Sequence, residues 1–187
     1  MPKISSYGTV TPSPSDRIVV SDANDSNATK NITVGSLSSA TAPAYYIDAF
    51  SNTPATTNIS QADTYVDLNV TFSTGLSDGY TANSALVSNL NAPQTTLLSQ
   101  VTVVLSLKAS NNNVITGLIT QRTSLGAETD ILSSTSSVTE AGNATEFNLV
   151  MTCISNLGYG ESLKIKVKNS AAANIGCSHA SVVVHSI

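Results

Sequence analysis

Apolar and polar positions alternate strictly along "ESLKIKVKN", Glu161 to Asn169: Leu163, Ile165 and Val167 fall on one side, Lys164, Lys166 and Lys168 on the other. A period of two predicts a strand with one face on a core and the other in water. A slip of one residue would bury three ammonium groups, which fixes the register. The same alternation sets Val66, Leu68, Val70 and Phe72 opposite Tyr65, Asp67, Asn69 and Thr71 in "DTYVDLNVTF". "VTVVLSLK" repeats it with Val101, Val103, Leu105 and Leu107, and "EFNLVMTC" with Phe147, Leu149, Met151 and Cys153. Val150 and Ile154 leave the other face of that last strand half apolar, and "VITGLITQR" and "SHASVVVHSI" have no clean polar side. Strands apolar on both faces need two covers, the domain's own core and something else, which for a single sandwich means a neighbouring subunit.

No stretch keeps an apolar stripe at three-to-four spacing over three turns, while β-branched residues abound and turn residues recur every ten or so positions. The prediction is an all-β protein. Residues 45–187 carry about eight to ten strands, enough for a two-sheet sandwich. The front of the chain is different: "KISSYGTV", "RIVVSD" and "NITVGSL" read as short strands separated by the turn "TPSPS" and the loop "ANDSNATK". Three strands are too few to stand alone, so this part needs a partner outside itself. The small, Pro-bearing "SSATAPA" after Leu37 has the composition of a joint. The organisation is thus an N-terminal arm over 1–37, a linker over 38–44 and a β-sandwich over 45–187.

Composition narrows the partners. Charged residues are 11% of the 187, whereas Ser, Thr and Asn make up roughly a third, so the surface is mostly hydroxyl and amide. The net charge is −4 and no run of Lys or Arg could track a phosphate backbone or an anionic lipid surface, which argues against nucleic acid and membrane as partners. "MPKISSYGTV" has no apolar segment behind its lysine, so the expectation is a soluble chain made in the cytoplasm. Cys153 and Cys177 are then expected as two small buried thiols, although one disulfide is the alternative. Six Asn-x-Ser/Thr sites are about what this composition yields by chance.

Candidate chemistry is sparse. No nucleophile elbow, zinc-protease helix or Cys–His motif occurs, so neither catalytic residues nor cofactors are assigned and the chain reads as a non-enzyme. Asp63, Asp67 and Glu161 are carboxylates that folding could pair as in a glycosidase. "DANDSN" from Asp22 lacks the Gly and Glu of a calcium loop, because Asn27 and Thr33 stand there; an Asx-rich turn is the better reading. His179 and His185 share one strand face about 20 Å apart, too far for one metal within a chain. On a threefold axis each could form a ring of imidazoles; the plainer reading is two interface or surface histidines. "GLSDGYTANS", Gly75 to Ser84, reads as a loop that could meet a sugar, against the plainer reading of a connection.

Two stretches resemble known proteins. "KIS…TPSPSDRIVVSD…NATKNITVGSL" resembles the short N-terminal attachment module of bacteriophage tail-fibre and head-fibre proteins. "NNNVITGLITQRTSLGAETDILSS", "NATEFNLVMTCISNLGYGESLKIKVKN" and "NIGCSHASVVVHSI" resemble the last strands of a tumour-necrosis-factor-like jelly roll of the phage type. The chain departs from that pattern in carrying "RTSLGAE" for an Asn-Gly turn and in having no Trp. The resemblance implies a homotrimeric β-sandwich at the virion surface, a capsid decoration protein or head fibre. Its arm would grip a capsid or tail protein of the same particle through Ile4, Ile18, Val19, Val20, Ile32, Val34 and Leu37. His179, Val183 and His185 would lie at the subunit interface. The alternative is a tail-fibre or receptor-binding knob that recognises a host surface glycan.

Overall fold

The computed structural model describes residues 13, 15–22, 28–33, 45–89, 97–109, 112–140 and 146–187. Ile4, Val34 and Leu37, the side chain of Val20, the first arm strand, the linker and most of the Asx-rich turn lie outside them. The chain divides into two compact units, Met1–Pro43 and Ala44–Ile187.

In the first unit, β1 (Arg17–Asp22) pairs antiparallel with β2 (Ala28–Thr33) in a two-stranded sheet. Ile18 lies opposite Ile32 and Val20 opposite Lys30. The return strand starts earlier than expected, because Thr29 and Ala28 pair with Ser21 and Asp22, so "ATK" is strand rather than loop.

The second unit contains twelve strands among its described residues and no helix. They are β3 (Tyr46–Ser51), β4 (Ala55–Thr57), β5 (Val66–Asp67), β6 (Ser73–Asp78), β7 (Tyr80–Asn83), β8 (Leu86–Asn89), β9 (Leu97–Lys108), β10 (Val114–Arg122), β11 (Glu128–Thr139), β12 (Phe147–Leu157), β13 (Ser162–Asn169) and β14 (Ile175–Ser186). One sheet runs β12-β9-β14-β3-β6 with β4 on β14, the other β11-β10-β13-β8-β7 with β5 on β13, all antiparallel. The fold is a tumour-necrosis-factor-like jelly roll. The count exceeds the predicted eight to ten because β4, β5 and β7 are only two to four residues long.

The core is the space between the sheets. Val103, Leu105 and Leu107 of β9, Leu149 and Met151 of β12, and Ala180, Val182 and Val184 of β14 face Ile115 and Ile119 of β10 and Leu163, Ile165 and Val167 of β13, all buried. Contact is closest at Gly117: a Cβ there would stand 2.6 Å from Met151 Sδ and 2.7 Å from Leu149 Cδ2. Only the bare backbone of β10 lets those side chains in. Both cysteines are free and buried among them.

Several stretches differ from their sequence reading. Only Val66–Asp67 of "DTYVDLNVTF" is strand, yet Leu68, Val70 and Phe72 are buried on one side as the alternation requires. Single hydrogen bonds replace a ladder there: Leu68 N–H to Ile165 O, Asn69 N–H to Thr57 Oγ1 and Phe72 N–H to Ser84 O. "GLSDGYTANS" is not a loop; β6 and β7 meet in it at Gly79, whose φ of 72° only glycine adopts freely. Tyr80 is buried there with its hydroxyl 2.8 Å from Ser99 Oγ.

The largest correction concerns β10. Thr116, Leu118 and Thr120 form its second face and are all buried, so its cover lies inside the chain and no neighbour is needed. Lys166 stands opposite Leu118 in the register, and its side chain is only 18% exposed. The strand lysines are held down by carboxylates rather than left in water. Lys164 Nζ lies 2.7 Å from both Asp67 Oδ2 and Glu128 Oε1, and Lys166 Nζ lies 2.9 Å from Glu128 Oε2 and 3.3 Å from Asp130 Oδ1. Thr120 donates to Asp130 Oδ1 at 2.8 Å, and the Lys168 ammonium sits over the Tyr65 ring.

That lattice sets a pH dependence. Hydrogen bonds from Lys164 and then Lys166 hold the Glu128 carboxyl down at about 2, from an ordinary 4.5. A carboxyl lowered by folding stabilises the fold fully above its unfolded value, and this contribution is lost as pH falls from about 4.5 through about 2. Glu128→Gln is expected to flatten the fall in thermal midpoint over that window, read by circular dichroism at successive pH values. Ile165, 4% exposed, makes the core testable: Ile165→Asp would bury an unpaired charge at a cost of about 3–5 kcal/mol. That is a large part of a domain's usual stability. The variant is expected to show no cooperative unfolding transition in urea.

Candidate functional site

The two sheets treat their outward faces differently. The β10–β13 face is closed over by paired charges, whereas among the described residues of this unit no second layer covers the outward face of β12, β9, β14 and β3. Residues that alternate with the buried set on those strands line up in rows across the sheet. Val150 lies opposite Val104, then Ser181, then Phe50. The next row is Thr152, Thr102, Val183 and Asp48, and the one after it Ile154, Gln100, His185 and Tyr46.

Ile154 is 60% exposed, Val150 49% and Leu98 44%, while Val104, Val183 and Phe50 are half-buried. Asp48 is the only Asp, Glu, Lys or Arg in these three rows, and it sits on β3 at their far side. An apolar centre with charge excluded and hydroxyls and amides around it is the composition of a protein interface core. The bulge in β11 extends this surface. Four residues, Leu132–Thr135, stand between the partners of Gly117 and Ile119. Ser134 tucks inward, accepting from Ile119 N–H at 2.8 Å and donating to Ile131 O at 2.6 Å, and Leu132 is left 76% exposed. A groove of about 370 Å³ runs along the β12 edge, lined by Gln100, Ser133, Thr152, Cys153 and Ile154.

All three predicted interface residues lie on this face. Val183 is central, His185 shares a row with Ile154, and His179 Nδ1 lies 2.7 Å from Asn52 Oδ1 at the other end of β14. No group of three metal-ligating side chains occurs among the described residues. Val104 and Phe50 belong to the face but were missed; the doubled valine of "VTVV" was the signal for the first. Asp67 is engaged by Lys164, and Glu161 Oε2 accepts from Gly158 N–H and Gln121 Nε2. Burial pushes both thiols up to about 11, so they are protonated and inert near neutral pH.

In the arm, Val19 is 66% exposed and Ile18 37%, and Ile32 is half-buried. A two-stranded hairpin with apolar side chains open to water is marginal by itself and offers those side chains to a partner.

No protein-family model matches the chain, and no curated protein matches it. Solved structures resemble it in fold. Eiger TNF from S. frugiperda aligns over 78% of this chain and 94% of its own, with 12% identity and a TM-score of 0.58. Murine APRIL at pH 5.0 aligns over 77% of this chain and 99% of its own, with 10% identity and a TM-score of 0.52. PRD1 vertex protein P5 aligns over 76% of this chain and 96% of its own, with 12% identity and a TM-score of 0.47, too low to fix a common fold. At these identities the likeness is one of architecture: a tumour-necrosis-factor-like sandwich over a share of the chain equal to its second unit.

Proposed function

We propose that this chain is a structural protein of a phage virion, a homotrimeric capsid decoration protein or head fibre anchored through its N-terminal hairpin, and that it makes and breaks no covalent bond. The observation that carries the reading is the charge-poor, apolar outward face of β12, β9 and β14, set against a β10–β13 face fully closed by its own ion pairs. Three copies that present this face to one another would cover it, and closed symmetry ends the assembly at a fixed size.

The arm suits an anchor because Val19 and Ile18 stand exposed on a two-stranded ribbon that is marginal alone and gains burial by joining another protein. Its sequence resemblance to phage attachment modules supports a capsid or tail component as that protein. Three arms on one trimer raise a weak contact through effective concentration. A tail-fibre knob that recognises a host surface glycan is the second reading; in the stretch first read as a sugar-meeting loop, Tyr80 is in the core while all of β6 is exposed.

Val104→Lys with Val150→Lys places two ammonium groups at the centre of the face while leaving the core untouched. The double variant is expected to elute at one third of the wild-type mass in light-scattering chromatography with an unchanged far-ultraviolet spectrum; wild-type mass would remove the face from the interface. Deleting residues 1–37 is expected to leave a folded trimer that no longer joins particles. Normal incorporation of the truncated protein would show that the arm is not the anchor.

A further inference from the structure

One end of the sandwich carries exposed apolar side chains that neither the core nor the trimer face explains. Tyr45, the first described residue of this unit, is tied to the C-terminus: its N–H donates to Ser186 Oγ and its carbonyl accepts from Ser186 N–H, both at 2.9 Å. Ile187 N–H donates to Leu98 O, and Leu157 pairs with Leu97. The point where the chain enters, the last residue, the start of β9 and the end of β12 therefore share one pole. The β12–β13 turn belongs to it, and Gly160 brings in the β10–β11 turn, since a Cβ at Gly160 would touch Ser124 at 3.4 Å. Leu125 at this pole is 97% exposed, Ile187 64% and Tyr159 48%.

These turns are rigidly built. Thr123 N–H donates to Ala127 O at 2.8 Å, Gly126 N–H to Thr123 O at 2.9 Å and Ala127 N–H to Thr123 Oγ1 at 3.1 Å. In the neighbouring turn Glu161 Oε2 takes Gly158 N–H at 2.7 Å and Gln121 Nε2 at 2.8 Å, and Gln121 Oε1 accepts from Ser155 at 2.8 Å. Leu125 and Tyr159 are thus held out in water on fixed backbones, so burying them against a partner costs little ordering entropy. The β10–β11 turn belongs to the ion-paired sheet, away from the Val104–Val150 face.

We propose that this pole is a second contact surface, an apolar foot of Leu125, Tyr159 and Ile187 that seats on the same particle protein that the arm grips. This rests on the function proposed above. The length and destination of the tether argue for that occupant. Residues 34–44 join Thr33 to Tyr45 and reach at most about 40 Å fully extended. Whatever holds Thr33 is therefore within that radius of this pole, whereas the bound on its distance from the opposite loops is larger by a strand length, about 40 Å for the twelve residues of β9. A tethered foot meets the gripped surface at high effective concentration, so a few apolar side chains suffice.

The test uses full-length protein and particles assembled without this chain. Copies bound are measured against concentration for wild type, for Leu125→Ser/Tyr159→Ser and for the arm variant Val19→Asp/Ile32→Asp, with amide exchange followed across 122–127 and 157–161. The expected result is a foot variant with wild-type mass and thermal midpoint that binds on the order of tenfold more weakly, an arm variant that loses binding, and protection of both turns only on the particle. A foot variant that binds like wild type while the arm variant fails overturns the foot and leaves the anchor standing. A foot variant that weakens while the arm variant binds normally keeps the foot and overturns the anchor. Protection of both turns in the free trimer shows the pole already covered by the chain itself and overturns the proposal, as does a wild-type protein that binds no particle.

Discussion

A β-sheet has two faces, and two sheets stacked on each other cover only one face of each. In this chain the shared core satisfies Val103, Leu105, Leu149, Met151 and Val182 from one side and Ile119, Ile165 and Val167 from the other. What happens on the two remaining faces governs everything else. On the β10–β13 side, Asp67, Glu128 and Asp130 pin Lys164 and Lys166 across Leu118 and Thr120, so the lysine stems become the cover. On the β9–β12–β14 side no such lattice exists, and the rows through Val150, Val104 and Val183 are apolar or uncharged until Asp48. The first face is finished by its own charges; the second has no cover among the described residues, and the function proposed above assigns it to identical copies.

Much of this was legible from period-two alternation. Where a strand alternates cleanly, as in "ESLKIKVKN" and "VTVVLSLK", the buried set was readable residue by residue, because a one-residue slip would bury charge or expose the whole apolar set. The reading failed where alternation says nothing about what covers a face. "VITGLITQR" and "EFNLVMTC" look alike in having apolar residues on both sides. Yet Leu118 is covered by lysines that its own sheet supplies, while Val150 and Ile154 stay exposed. That difference depends on which strand is central and which charges its neighbours bring, and β10 meets Glu128, Asp130 and the lysines only through the register of β11 and β13. The strand character of "GLSDGYTANS" was hidden for a similar reason: its Gly, Ser and Asp residues favour turns, and Tyr80 in the core overrides them.

The outward apolar face was legible in part. The apolar Val183 and the two histidines of the last strand pointed to β14, but a face is a property of a sheet, and Val104, Phe50 and Leu98 join it only once the strand order β12-β9-β14-β3 is known. The bulge that turns Leu132 outward had no sequence signal, because it depends on Ser134 supplying the hydroxyl that Ile119 N–H needs. The arm was the reverse case, since its hairpin was readable from "RIVVSD" and the strand that returns to it, and the structure added the earlier start of the second strand.

The account makes the assembly a consequence of one uncovered face. Sedimentation equilibrium of the full-length chain across a wide concentration range addresses that face directly. It predicts a single species three times 19.2 kDa, about 58 kDa, at every concentration where the fold persists. A stable, ideal species of 19.2 kDa with Val104, Val150 and Val183 left in water would contradict it.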